Sequence, residues 1–533
     1  MSGWDNPSIV TERLRPALQS RGIVLSSFST IISSVAPLCG HSGLSGDMSL
    51  LTLTVVTTVK QGTGDSGIGG SNANATAATP SAISTENNIM KFVLKRTRST
   101  EEGKQYSKKL GLYREGAFYN TIGPWVQQRL DNVQQQEQQQ QDQQQPNNPS
   151  STSSSTPCQR TSFIPQALFA ASDSNTGQKA IVLDYYDHYI EAGVFFPHSV
   201  HNVVRKMENN ETQKKESKES NDPPLAMEIH GKNDDNMQNS NDKANLTKSQ
   251  CNAKNITLEA TRIAASIHGS FYNDLSLLND STISPHLRMA DWIQGRNRES
   301  FLLSQQEVCD RWTHVKTQWE KGEWYGGQVT MEKEWVDIMD ASCALALDFD
   351  SFVDKWNVTG DCNAGRHDKV DASRCDGRPN IGWSLVHGDY HPGNLLCQKE
   401  MHASSAMPQL ILIDWEVVGI GSGPQDIGQF LISHMKTQYA VKLLDAVVSV
   451  YRNSLIKTLQ AVNPAQILTV PSLDDLKKEI VYGGLERWVW LFGYMCGFES
   501  SMPPVYMQYF HDQLYGWVVK NGITAKNVGM PRP

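Results

Sequence analysis

The run from Leu385 to Leu396, Leu-Val-His-Gly-Asp-Tyr-His-Pro-Gly-Asn-Leu-Leu, sets a carboxylate, Asp389, and a carboxamide, Asn394, on one short loop. Pro392 and Gly393 bend that loop. Downstream, the apolar stretch Leu410-Ile-Leu-Ile413 runs into a second carboxylate, Asp414, followed by Trp415 and Glu416. Phosphoryl transfer needs one carboxylate to orient the accepting hydroxyl. It also needs a carboxamide and another carboxylate to hold a magnesium ion against the nucleotide phosphates. Asp389, Asn394 and Asp414 supply that set, with Asp389 and Asn394 at the spacing of a kinase catalytic loop, H-x-D-x-x-x-x-N. Asn, Gly and Pro form turns whatever the function. The apolar strands on both sides, and the aspartate that ends the second, are what a turn alone does not explain. His387 is expected to brace the loop by hydrogen bonding, and His391 to be structural.

The elements that must position these groups follow from pattern. Glu12 to Gln19 has helical spacing despite Pro16, and Leu50 to Lys60, Lys91 to Lys95 and Ala180 to Asp184 have strand composition. Gly111 to Ile122 reads as a helix. Beyond Thr257 the pattern is mostly helical, apart from the strands Ser384 to Val386 and Leu410 to Ile413. The result is an α+β chain with a strand-rich first lobe, 1–187, ending in a hinge at Asp184 to Asp187, and a helical second lobe, 188–533. Three stretches are too polar to bury a core and read as disordered surface insertions: about 61–87, the glutamine-rich 134–157, and the charged 207–254. Before the first long strand, His41-Ser-Gly-Leu-Ser-Gly-Asp-Met48 offers a glycine loop. Its backbone amides at Gly43, Ser45 and Gly46 could cradle phosphate oxygens, although an ordinary glycine hairpin would look the same.

A net charge of −8 gives no basic footprint for nucleic acid. Nine cysteines without a C-x-x-C pair read as reduced, which suits a cytoplasmic protein. The apolar patch from Ile23 to Val35 is too short and too interrupted by serines to span a bilayer, and no membrane association is expected.

His-Gly-Asp-Tyr-His-Pro-Gly-Asn with Ile-Asp-Trp-Glu resembles the aminoglycoside phosphotransferase and choline kinase superfamily, more particularly its ecdysteroid-kinase-like branch. The resemblance extends over most of the chain outside the insertions. Gly111-Leu-Tyr-Arg-Glu-Gly-Ala-Phe-Tyr119 is similar to the helix that presents a glutamate, and Ile263-Ala-Ala-Ser-Ile-His-Gly-Ser-Phe271 to a helix after the hinge. It implies a protein-kinase-like bilobal fold, ATP and Mg²⁺ as cofactors, and transfer of the γ-phosphate to a hydroxyl of a small molecule. It further implies that Lys95 contacts the nucleotide phosphates and pairs with Glu115, and that Asp426 braces the catalytic region. Lys91 and Arg96 compete for the lysine role, and Glu101 and Glu102 for the acid. Gly388 stands where protein kinases carry Arg, and no Ala-Pro-Glu follows Asp414, so a protein acceptor is disfavoured. The alternative is a catalytically silent nucleotide-binding or scaffold protein of the same fold. The aromatic run Trp488, Trp490, Phe492, Tyr494 and Phe498 could form a cage for a quaternary ammonium, but helical aromatics more often make core.

Overall fold

Leu51 and Leu53, like Phe92 and Leu94, recur every second residue, so a strand through either stretch turns one apolar row toward a core. The computed structural model describes residues 7–21, 30–37, 47–60, 83–144, 162–196, 199, 240–289, 298–346, 382–399, 407–499 and 502–528. They divide into two units, one made of Met1–Asn120 and Pro165–Asp187, the other of Thr121–Ile164 and His188–Pro533.

The first unit is built on an antiparallel five-stranded sheet in the order β1-β2-β3-β5-β4. Its strands are β1 (Thr30–Pro37), β2 (Asp47–Lys60), β3 (Ile83–Arg96), β4 (Ala167–Asp173) and β5 (Gln178–Asp184). Helix α1 (Pro7–Ser20) buries Leu14 and Leu18 against Leu51, Leu53, Phe92, Leu94, Leu168 and Val182. Helix α2 (Glu101–Leu110) starts where the Thr100 hydroxyl accepts the Gly103 N–H and stops at Gly111, whose φ of 67° is the left-handed cap that glycine adopts freely. A single turn, α3 (Arg114–Ala117), carries Glu115, and a π-helical segment, Phe118–Ile122, follows.

The second unit is mainly helical, with two three-stranded sheets, ordered β10-β9-β6 and β7-β11-β8. The strands are β6 (Tyr189–Glu191), β7 (Arg288–Met289), β8 (Ser384–Val386), β9 (Leu395–Gln398), β10 (Leu410–Leu412) and β11 (Gly419–Gly421). The longer helices among the described residues are α4 (Gly123–Gln144), α5 (Ser240–Ser270), α6 (Arg298–Glu320), α7 (Lys333–Ala346), α8 (Gly423–His434), α9 (Thr437–Val462), α10 (Leu473–Met495) and α11 (Pro504–Lys520). Every residue of α8 is buried. It crosses α10 so closely that a Cβ on Gly428 would stand 2.2 Å from the Ile480 carbonyl oxygen, so only glycine permits the crossing. No helix among the described residues is long and apolar enough to cross a membrane.

Order extends further into the polar stretches than composition suggests. The glutamine tract continues α4 as far as Gln144, because Gln is a fair helix former and the turns before it supply the nucleus. Likewise α5 starts at Ser240, inside the expected insertion 207–254, and β3 starts at Ile83, inside 61–87. Residues 61–82, 145–161 and 200–239 lie outside the described residues. Residues 121–164, expected in the first lobe, fall in the second unit, and Glu101 and Glu102 open a capped helix.

Candidate active site

In the first unit, strand pairing sets two lysines on neighbouring strands: Lys95 of β3 lies opposite Ile181 of β5, two residues from Lys179. Both reach one carboxylate oxygen. Lys95 Nζ is 2.9 Å and Lys179 Nζ 2.7 Å from Glu115 Oε2, and all three side chains are buried. Glu115 Oε1 is also buried and has no hydrogen-bond partner among the described residues. The competing candidates are elsewhere: Lys91 is exposed and meets Asp187 at 3.3 Å, and Glu101 is exposed beside Lys104. Gly43, Ser45 and Gly46 lie outside the described residues.

In the second unit, the loop after β8 hangs on one buried carboxylate. Asp426 accepts the backbone N–H of His387 at 2.8 Å and of Gly388 at 3.1 Å. On its other side His268 Nε2 lies 3.3 Å away, with His268 Nδ1 in turn 3.0 Å from the Tyr451 hydroxyl. Burial pushes the Asp426 carboxyl up, but the hydrogen bond and charge of His268 outweigh it and hold the group below its ordinary range. Gly388 has φ 81°, and a Cβ there would lie 2.3 Å from the Val417 carbonyl oxygen. An arginine at this position is sterically excluded.

His387 is buried, and burial lowers its pKa. Its Nε2 is 3.0 Å from the Ile413 carbonyl and its Nδ1 accepts the Asp389 N–H at 3.3 Å, the pattern of a neutral imidazole with its proton on Nε2. The ring ties the loop to the residue before Asp414.

Asp389 is restrained at both oxygens while its side chain stays 38% exposed, so a ligand can reach it. Gln429 Nε2 donates to Oδ1 at 2.8 Å, Asn394 Nδ2 to Oδ2 at 3.2 Å, and His391 Nε2 stands 3.5 Å from Oδ2. Burial opposes the charge on Asp389, but His391 and, more distantly, Arg487 hold its carboxyl well below the usual range. Conversely, burial disfavours a charged His391, yet the Asp389 charge raises its pKa above the ordinary value. His391 Nδ1 also accepts the Gly393 N–H at 3.1 Å, so the residue braces the loop, as expected of it, while its other nitrogen faces Asp389.

Asn394 also donates Nδ2 to the Asp389 carbonyl at 2.9 Å, and its own carbonyl accepts the Ile413 N–H at 3.0 Å. That last bond brings Asn394 beside the start of Asp414, which has the left-handed φ of 65°. Both of these bonds of the Asn394 carboxamide use Nδ2, which leaves Oδ1 as an acceptor. A carboxylate oxygen of buried Glu416 lies within 4.8 Å of one from Asp414. This all-oxygen donor set fits a hard cation such as Mg²⁺.

Lys179, Gln429 and Arg487 were not singled out from sequence, and Glu416 was named only as part of a motif, with no role. The one available signal was for Gln429, which sits three residues after Asp426 and hence on the same helix face. The aromatic run is core: Trp488, Trp490, Phe492 and Tyr494 are buried, and Arg311 covers Tyr494 and Phe498 at 4.2 and 5.2 Å from the ring centroids. No cage for a ligand cation is formed there.

Three comparisons bear on this arrangement. No curated protein matches the sequence. Among solved structures, the choline kinase from Cryptosporidium parvum Iowa II aligns with a TM-score of 0.41 at 11% identity, covering 98% of this chain and 99% of that one. So remote a likeness carries no argument about substrate or mechanism. The ecdysteroid kinase-like family matches residues 372–464, the stretch that holds Asp389, Asn394, Asp414, Asp426 and Gln429. Over that stretch the chain is similar to the ecdysteroid kinase-like family, the branch that its motifs resemble.

Proposed function

We propose that this chain is an ATP-dependent phosphotransferase that moves the γ-phosphate to a hydroxyl of a small molecule. The observation that carries the reading is the Asp389 carboxylate, held at both oxygens and still exposed, on a loop whose Asn394 is bonded to the residue before Asp414. The sheet unit and the helical unit correspond in this reading to the two lobes of a kinase-like fold, with lobes near 1–187 and 188–533.

Asp389 accepts a hydrogen bond from the acceptor hydroxyl and aims its oxygen at the γ-phosphorus. As the new O–P bond forms, the bond from that phosphorus to the bridging oxygen breaks and ADP departs. A carboxyl held well below its ordinary range is ionised throughout the neutral range, so Asp389 accepts or steers the hydroxyl proton as the bond forms and passes it on to the transferred phosphoryl oxygens or to solvent. Asn394 and Asp414 would hold Mg²⁺, which supplies charge neutralisation on the phosphates. Lys95, fixed by Glu115, contacts the nucleotide phosphates, and His387 keeps the loop in register.

The test is a panel of hydroxylated metabolites screened for ATP consumption, with Asp389→Asn as control. Asn keeps the size and loses the charge, so ATP affinity by calorimetry should survive while turnover falls about a hundred- to ten-thousand-fold. Equal turnover in the two proteins, or magnesium-dependent ATP binding without turnover on any acceptor, would favour the silent scaffold instead.

A further inference from the structure

The Asp389 carboxylate needs a fixed plane if it is to aim a hydroxyl, and Asn394 restrains only Oδ2. We propose that Gln429 is a positioning residue that fixes the other oxygen, and that Arg487 dictates which way the Gln429 carboxamide points. Gln429 is fully buried on α8, and its Nε2 lies 2.8 Å from Asp389 Oδ1. Its Oε1 lies 2.8 Å from Arg487 Nε on α10, and its backbone carbonyl accepts Trp488 Nε1 at 3.3 Å.

The orientation follows from chemistry. A guanidinium has only donors and an ionised carboxylate only acceptors, so the carboxamide oxygen must face Arg487 and the NH₂ must face Asp389. A flipped Gln429 would lose both bonds. Placement is as strict, because the contact between α8 and α10 at Gly428 is one residue away and fixes how far Gln429 stands from Arg487. Gln429 thus passes the constraint of a buried cation to the carboxylate without placing that cation against it, which leaves Asp389 open to a substrate hydroxyl. Arg487→Met would free the carboxamide to rotate, and Arg487→Lys would restore a donor.

The claim about geometry is independent of the phosphotransfer reading; its kinetic consequence rests on it. Gln429→Glu is nearly isosteric: it keeps an acceptor for Arg487 but offers Asp389 no N–H. Gln429→Leu removes both bonds. For both, binding of Mg-AMP-PNP by calorimetry should stay within about twofold of wild type, while ATP turnover with water as acceptor falls on the order of a hundredfold. Arg487→Met should fall less, with partial recovery in Arg487→Lys. In an Asp389→Asn background, Gln429→Leu should cause no further loss, because a residue that acts only through Asp389 has nothing left to act on.

Wild-type turnover in Gln429→Glu and Gln429→Leu, or a full further loss in the double variant, overturns the proposal. Should Gln429→Leu fail to fold, Gln429→Glu carries the test, since Arg487 keeps its partner there. If the wild type itself turns over no ATP, the phosphotransfer reading falls and the crystal structure of Gln429→Glu decides the positioning claim. An Asp389 carboxylate rotated away from residue 429 upholds it, and an unmoved one refutes it.

Discussion

Glu115 in the first unit and Asp426 in the second are both buried carboxylates, yet Glu115 meets two ammonium groups while Asp426 meets two backbone N–H groups and an imidazole. An ammonium on a four-carbon stem is a movable point charge, so the Glu115 cluster fixes charge more firmly than geometry. Backbone N–H groups cannot move without the chain, so Asp426 fixes the path of residues 387 and 388. One cluster sets a potential and the other sets a shape.

Removing charge from each separates these roles. Glu115→Gln takes the counter-charge from two buried ammonium groups and should cost about 3–5 kcal/mol in denaturant unfolding. Lys179→Met should cost less, because Lys95 still pairs with Glu115. If Glu115→Gln unfolds at the wild-type midpoint, the trio contributes no stability and the comparison fails. Asp426→Asn keeps one acceptor oxygen and should cost about 1–3 kcal/mol, the range for one buried group left unsatisfied. It should also remove most turnover, since the loop that carries Asp389 loses an anchor. Normal turnover in a destabilised Asp426→Asn would mean that the loop keeps its shape without it.

The smallest effect concerns His391, whose pKa is raised in the folded protein. Its charged form therefore adds stability that is complete below the unfolded value near 6.5 and fades as pH rises through the folded value. With the side chain a quarter exposed, the contribution should stay under about 1 kcal/mol. Wild type should lose slightly more stability than His391→Gln on going from pH 6 to pH 8, as read by thermal unfolding. Parallel curves would remove His391 from the Asp389 environment.

What could be read from sequence was what is local in the chain. Asp389 and Asn394 are five residues apart and joined by a bond that spans those five, so their relation is written into one turn. Lys179 and Glu115 are 64 residues apart, Gln429 and Arg487 58, and His268 and Asp426 158. These pairs exist only because strands register and helices cross. A lysine that opens a strand and a glutamine inside a helix carry no local mark of burial, so Lys179 and Gln429 passed unnoticed. The glutamine tract shows the reverse: its composition argued against order, while the helix it continues draws stability from the turns before it.

Asp414 keeps a left-handed backbone that side chains other than those of Asn and Asp rarely tolerate. Glycine there would relieve about 1 kcal/mol of strain, and asparagine would fit as well. Mutation at this codon therefore meets a slope toward glycine, and the need for the carboxylate's charge and contacts opposes the drift. In any lineage where that need lapses, residue 414 is a site where glycine or asparagine should appear early.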